Sequence, residues 1–243
     1  MNNFLFLDTE TTGTDALDRL YQVAYKTSNE TLDEKFKPPV PISHVASSIT
    51  HVTNKDVALK LPFAGSTTEA KLKDLADKDY ILIAHNAQFD LGMLAKEGIN
   101  FKRHICTLKL ARHIDDGMMV NHQLQYLRYY YELDIHLGGL APHDALADII
   151  VLEQVFKKLA RSIQDKYSLN KSQTIERMME ISIKPSLLKS IKFGKYSTKT
   201  PEEQLISNIA KNDPQYLIWL LNEKKKKPEG EEDWIYTLNY YLK

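Results

Sequence analysis

Apolar and polar positions recur along the chain with two different periods, and the switches between them mark the elements. Residues 3–8 and 19–27 read as strands, and LDEKFKP at 32–38 alternates with period two as a third. Three strands so close together predict an antiparallel meander. Residues 41–57, broken by Pro and Ser, predict a short helix and a turn, and residues 65–77 a longer helix. YILIAHN at 80–86 is a short apolar strand, and a helix over 87–97 should stop at Gly98. Residues 107–113 and 123–132 are helical candidates. The clearest helical period follows Pro142, over 144–163, and 164–183 reads as a helical connector. Beyond it lie a helix near 201–210, the apolar DPQYLIWLL, and KKKK at 224–227, which reads as a loop. Strands first and then alternating strands and helices predict an α/β fold with a mixed sheet. The expected division is 1–165 as the main domain, 166–183 as connector and 184–243 as a small basic C-terminal domain.

Composition narrows this only slightly. Of 243 residues, 43% are hydrophobic and 26% charged, values of an ordinary globular protein, and Lys+Arg equals Asp+Glu at 32 each. The distribution is uneven, however. Residues 184–243 hold 11 basic and 8 acidic side chains, a net +3 that leaves −3 for the rest. Lys184, Lys189, Lys192, Lys195 and Lys199 form a run without an acid, a feature suited to a polyanion. With one cysteine, Cys106, neither an intrachain disulfide nor a cysteine-rich zinc site is available. No long apolar run and no basic leader occur, so a cytoplasmic protein without membrane partners is expected.

Carboxylates in unexpected places carry the chemistry. Asp8 and Glu10 directly follow an apolar strand, two residues apart and therefore on one face. Like charges at the rim of a core repel and lose solvation, penalties that a bound cation reverses. Asp148 falls on the apolar stripe of its helix, four residues before Leu152 and in line with Val155 and Leu159. Asp90 repeats the pattern ahead of Met93 and Leu94. A helix N-terminus compensates each acid in part. Four inward carboxylates together suit hard divalent cations such as Mg²⁺ or Mn²⁺. His143 lies five residues before Asp148, about 140° away were both in one helix, so it must sit in the preceding loop to face the same cleft. Its ordinary pKa near neutrality makes it a candidate general base.

These residues, in the motifs DTETTG, AHNAQFD and HDALAD, together resemble the DnaQ-like 3′–5′ exonucleases of the DEDDh type. ICTLKLARH at 105–113, PIS…ITHVT between them and the tail FGKYSTKT…DPQYLIWLL look like the exonuclease X group of that family, so the similarity spans nearly the whole chain. It departs at Gln22, where the family often has Glu, at Thr50 and His51, and at Ser197 and Thr198.

The resemblance implies an RNase H-like α/β fold and metal-dependent hydrolysis of DNA from a 3′ end, yielding nucleoside 5′-monophosphates. It implies two Mg²⁺ ions, replaceable by Mn²⁺, held by Asp8, Glu10, Asp90 and Asp148, with His143 as base. Thr9 and Thr11 would meet the terminal 3′-OH; His85 and Phe89 precede Asp90, and Phe89 would stack or wedge. Lys192 and Lys195 would grip phosphates, whereas Tyr196 and DPQYLIWLL would build the small domain's core. The expected partner is DNA with single-stranded or frayed 3′ ends, in repair or degradation. An RNA-trimming enzyme, a polymerase proofreading subunit and a noncatalytic nucleic-acid-binding module are the alternatives.

Overall fold

A computed structural model describes residues 3–138 and 145–243. Its core is a five-stranded mixed sheet in the order β3-β2-β1-β4-β5. Strands β1 (Phe4–Thr11), β2 (Leu20–Lys26) and β3 (Thr31–Lys35) form the expected antiparallel meander. Helices α1 (His44–Thr50), α2 (Asn54–Val57) and α3 (Thr67–Asp77) follow. Strand β4 (Ile81–Ala84) then pairs parallel with β1, leads into α4 (Ala87–Lys96), and is joined in parallel by β5 (Arg103–Cys106). Gly98, at φ +73°, ends α4 in the left-handed conformation that glycine adopts without strain. Helices α5 (Thr107–Ile114), α6 (Leu124–Tyr130) and α7 (Ala145–Tyr167) follow in the chain.

Both faces of β1 are covered, which explains its uninterrupted apolar run. Leu5 and Leu7 join Leu72 and Leu75 of α3 and Leu94 of α4 in one buried cluster. On the opposite face, Phe4 and Phe6 meet Phe156 of α7 edge-on, at ring separations of 5.5 and 5.4 Å. Phe156 lies eight residues after Asp148, just over two turns. Helix α7 therefore lies over β1 with its start towards the strand's C-terminal end, and the apolar stripe of Leu152, Val155 and Leu159 is buried as expected.

The chain forms two compact units, and the division ignores chain order. One comprises Met1–Leu108 with Leu124–Arg161; the other comprises Lys109–Gln123 with Ser162–Lys243. Sequence periodicity reports elements and not their partners, so 109–123 gave no sign of joining the later part. The second unit contains α8 (Lys171–Ile183), α9 (Ile206–Asn212), α10 (Pro214–Lys226) and α11 (Glu232–Tyr241). Its core gathers Ile191, Tyr196, Ile206, Ile209, Leu217, Leu220, Leu221 and Leu238. Tyr196 and the DPQYLIWLL leucines are thus core, as expected. The lysines at 224–227 do not begin a loop: α10 runs through Lys226, because lysine is a good helix former and its charge suits a helix C-terminus. Among the described residues, no helix is long and apolar enough to cross a membrane.

Candidate active site

Strand β1 delivers side chains to both faces of the sheet, and the site grows from that alternation. Asp8 and Glu10 project on the Phe4–Phe6 face, where the start of α7 brings Asp148. One carboxylate oxygen from each of Asp8, Glu10 and Asp148 lies within 4.8 Å of the others. Directly after Glu10 the β1–β2 register shifts, so that Glu10 faces Gln22 and Thr11 faces Leu20. Gln22, the departure noted in the sequence, is buried and donates through Nε2 to Asp33 Oδ1 at 2.7 Å.

Asp90 is bound to β1 from helix α4. Helix α4 begins after Asn86, whose left-handed backbone turns the chain sharply out of β4. Asp90 is 3% exposed, and its Oδ1 accepts from both the amide (3.1 Å) and the hydroxyl (2.8 Å) of Thr9. Burial pushes this carboxyl up to about 7 despite those hydrogen bonds. The sequence grouped four carboxylates; the three from β1 and α7 converge, and Asp90 is tied to them through Thr9.

The remaining candidates are placed as follows. The Thr9 amide and hydroxyl both serve Asp90, and the Thr11 hydroxyl donates to the Gly13 carbonyl at 2.7 Å. His85 Nδ1 lies 2.9 Å from Thr107 Oγ1, at the end of β4, and Phe89 is half-buried on α4. His143 lies outside the described residues. Lys192 donates to the Met119 carbonyl, and burial lowers its pKa. Lys195 pairs with Asp213 and lies 4.6 Å from the centre of the Tyr216 ring. Both lysines are therefore held within the second unit.

One contact had no signal in the sequence. Gln125 of α6 donates through Nε2 to Asp148 Oδ1 at 2.7 Å. In LQYLRYY it reads as an ordinary polar helix position, and only the fold reveals that it orients an acid.

An oxygen-only cluster of this size fits a hard divalent cation. Mg²⁺–oxygen distances of about 2.0–2.1 Å place ligands roughly 3–4 Å from one another, within slight relaxation of the separation here. The Exonuclease (RNase_T) family profile matches residues 5–156, a stretch that includes every one of these acids. The chain belongs to that family. Exodeoxyribonuclease 10 of Escherichia coli (strain K12) is 30% identical over 211 residues, covering 85% of this chain and 82% of that protein. The exonuclease family also includes longer relatives. A PolC-type DNA polymerase III of Caldanaerobacter subterraneus subsp. tengcongensis is 26% identical over 173 residues, 67% of this chain but 12% of the polymerase. Among solved structures, exonuclease X bound to 5′-overhanging duplex DNA superimposes with a TM-score of 0.55 at 24% identity, over 74% of this chain and 99% of that one. A zinc-bound E. coli exonuclease I–single-stranded DNA complex gives 0.53 at 17%, over 73% of this chain and 42% of that one. The mixed sheet is therefore the RNase H-like fold of DnaQ-like exonucleases.

Proposed function

We propose that this chain hydrolyses DNA from its 3′ end to nucleoside 5′-monophosphates, in DNA repair or degradation within the cytoplasm. The observation that carries the reading is the convergence of Asp8, Glu10 and Asp148 within 4.8 Å at one end of β1. The identity to Exodeoxyribonuclease 10 supports DNA as substrate over RNA.

Asp8, Glu10, Asp148 and Asp90 would hold Mg²⁺, with Mn²⁺ as a substitute. Two such ions supply charge neutralisation for the attacking and leaving oxygens of an in-line displacement. His143 takes the proton of the attacking water. Gln125 fixes the carboxylate of Asp148, and Thr9 fixes that of Asp90. Thr11, His85 and Phe89 border these acids along the chain and would receive the 3′-terminal nucleotide, with Phe89 offering a ring to its base. Lys192 and Lys195 of the second unit are the lysines that would grip substrate phosphates. The preferred substrate is a single-stranded or frayed 3′ end.

Matched DNA and RNA oligonucleotides labelled at the 5′ end test this. With Mg²⁺, DNA should shorten stepwise while the label stays on the polymer, and EDTA should stop the reaction. Release of the label in the first mononucleotide, or faster loss of RNA, would overturn the reading. His143→Ala should slow a single turnover about 10²–10⁴-fold while still binding Mn²⁺ in a calorimetric titration. A full rate would make His143 a structural residue, and lost metal would make it a ligand.

A further inference from the structure

The lysine run at 184–199 does not act as one patch. Lys192 and Lys195 are engaged as described, and Lys199 lies 3.9 Å from Glu203. Lys184 and Lys189 instead line a cavity of about 440 Å³ that lies wholly within the second unit. Cations from distant parts of the chain join them there: Lys109 and Arg112 from α5, Lys166 from the last turn of α7, and Arg177 from α8. Among the described residues, no acidic side chain lines this cavity.

Two of these six cations are already matched. Arg112 pairs with Asp233 at 2.6 Å, and the same carboxylate accepts from the Ser186 amide, which fixes the guanidinium. Arg177 pairs with Glu180 at 2.8 Å and stacks 5.0 Å over the ring of Tyr167. Lys109 donates to the Lys184 carbonyl, a contact that leaves its charge unbalanced. Lys109, Lys166, Lys184 and Lys189 have no carboxylate within ion-pair distance among the described residues. Lys166 and Lys189 act on His113, which bonds Tyr167 Oη through Nε2 at 2.6 Å. Burial, with Lys166, Arg177 and Lys189 beside it, holds this imidazole below its usual pKa. Gathering like charges around a concavity costs free energy unless an anion occupies it.

We infer that this cavity is an anion site, lined by none of the residues of the carboxylate cluster, which binds the phosphates of a nucleotidyl ligand. About four unmatched charges exceed what a single phosphate needs and suit a strand segment or a polyphosphate. Tyr236, 45% exposed, forms part of the wall and offers a ring to a base. The volume falls within the usual range for small-ligand sites, about 300–1,000 Å³. Assigning the phosphates to the strand being shortened rests on the proposed function; the anion site itself does not.

The test is fluorescence anisotropy of a fluorescein-labelled oligothymidylate in EDTA, which silences turnover so that binding is read alone. Replacing Lys166, Lys184 and Lys189 together by Gln should weaken binding at least tenfold. It should also flatten the slope of log affinity against log salt by about 2, at roughly 0.7 per lost contact on a single strand. The corresponding triple Arg variant should bind as the parent does, which separates charge from damage to the fold. Displacement by unlabelled oligonucleotide but not by ATP or tripolyphosphate assigns the site to a strand; displacement by all three at similar concentrations assigns it to a free nucleotide. An unchanged affinity and slope in the Gln variant, with no binding of ATP or tripolyphosphate, overturns the site. A chain that binds in EDTA yet degrades nothing with Mg²⁺ would sink the nuclease reading and leave the pocket standing.

Discussion

Asp148 shows how much one side chain depends on the residue that holds it. It is 8% exposed and on an apolar stripe, so it is retained against stability, and Gln125 supplies a hydrogen bond that fixes its orientation. Replacing Gln125 by Leu keeps the bulk and removes the donor. Partners that orient a metal-ligating carboxylate are typically worth about 10–100-fold in metal affinity or activity. Gln125→Leu should therefore weaken Mn²⁺ binding by that factor in a calorimetric titration, with the fold intact by circular dichroism; unchanged affinity would mean that Asp148 needs no such support. The acids themselves were legible because each breaks a pattern: Asp8 and Glu10 end an uninterrupted apolar run, and Asp90 and Asp148 interrupt helical stripes. Gln125 breaks none, since a polar residue on a short surface helix is what the pattern expects.

Helix α7 is positioned by aromatic packing as much as by its own period. Phe156 is 6% exposed and touches both Phe4 and Phe6, which lie just before Asp8 on β1. Truncating a buried Phe to Ala costs about 3–5 kcal/mol. Phe156→Ala should lower the urea midpoint accordingly and also reduce kcat/KM, because the same helix carries Asp148; an unaltered kcat/KM would show that the acid is placed by its own turn alone. The loop after α5 has a different anchor. Asp115 is buried, which by itself would raise its pKa, but His122 and the amides of Met119 and Gly117 hold the carboxyl below the usual range. A depressed carboxylate contributes stability above its unfolded pKa, near 3.9, and loses it as pH falls through the lower folded value. Asp115→Asn should melt earlier than the parent at pH 7, and the gap should close on acidification below about pH 4; a gap independent of pH would assign the effect to packing. At this scale the strands β1 to β4 were readable, the four-residue β4 included because it is wholly apolar, but β5 and α11 were not. Four-residue β5, RHIC, shows too little alternation to register, and its pairing with β4 is decided by the sheet.

Across the whole molecule, the main surprise is that the second unit is discontinuous. Charge bias set the C-terminal part apart in the sequence, but no composition or period could show that 109–123 packs with 162–243. Lys109 and Arg112 belong with Lys184 and Lys189 through folding alone, which is why a run of five lysines gave only part of the basic cavity. Cutting the chain after Ile183 would remove the cluster from Ile191 to Leu238. It would also strand Met119 and α8, which carries the buried Met178 and Ile181. Such a truncated protein should self-associate in size-exclusion chromatography, with exposed apolar surface reported by dye binding; a monodisperse, cooperatively melting product would show that α8 and 109–123 stand without that cluster. The same threading governs the order in which a ribosome can complete the parts. The first unit has all its residues once Arg161 has emerged, whereas 109–123 must wait, unpaired, for a segment some forty or more positions downstream. A C-terminal half moved onto another catalytic body would therefore arrive without its first fifteen residues.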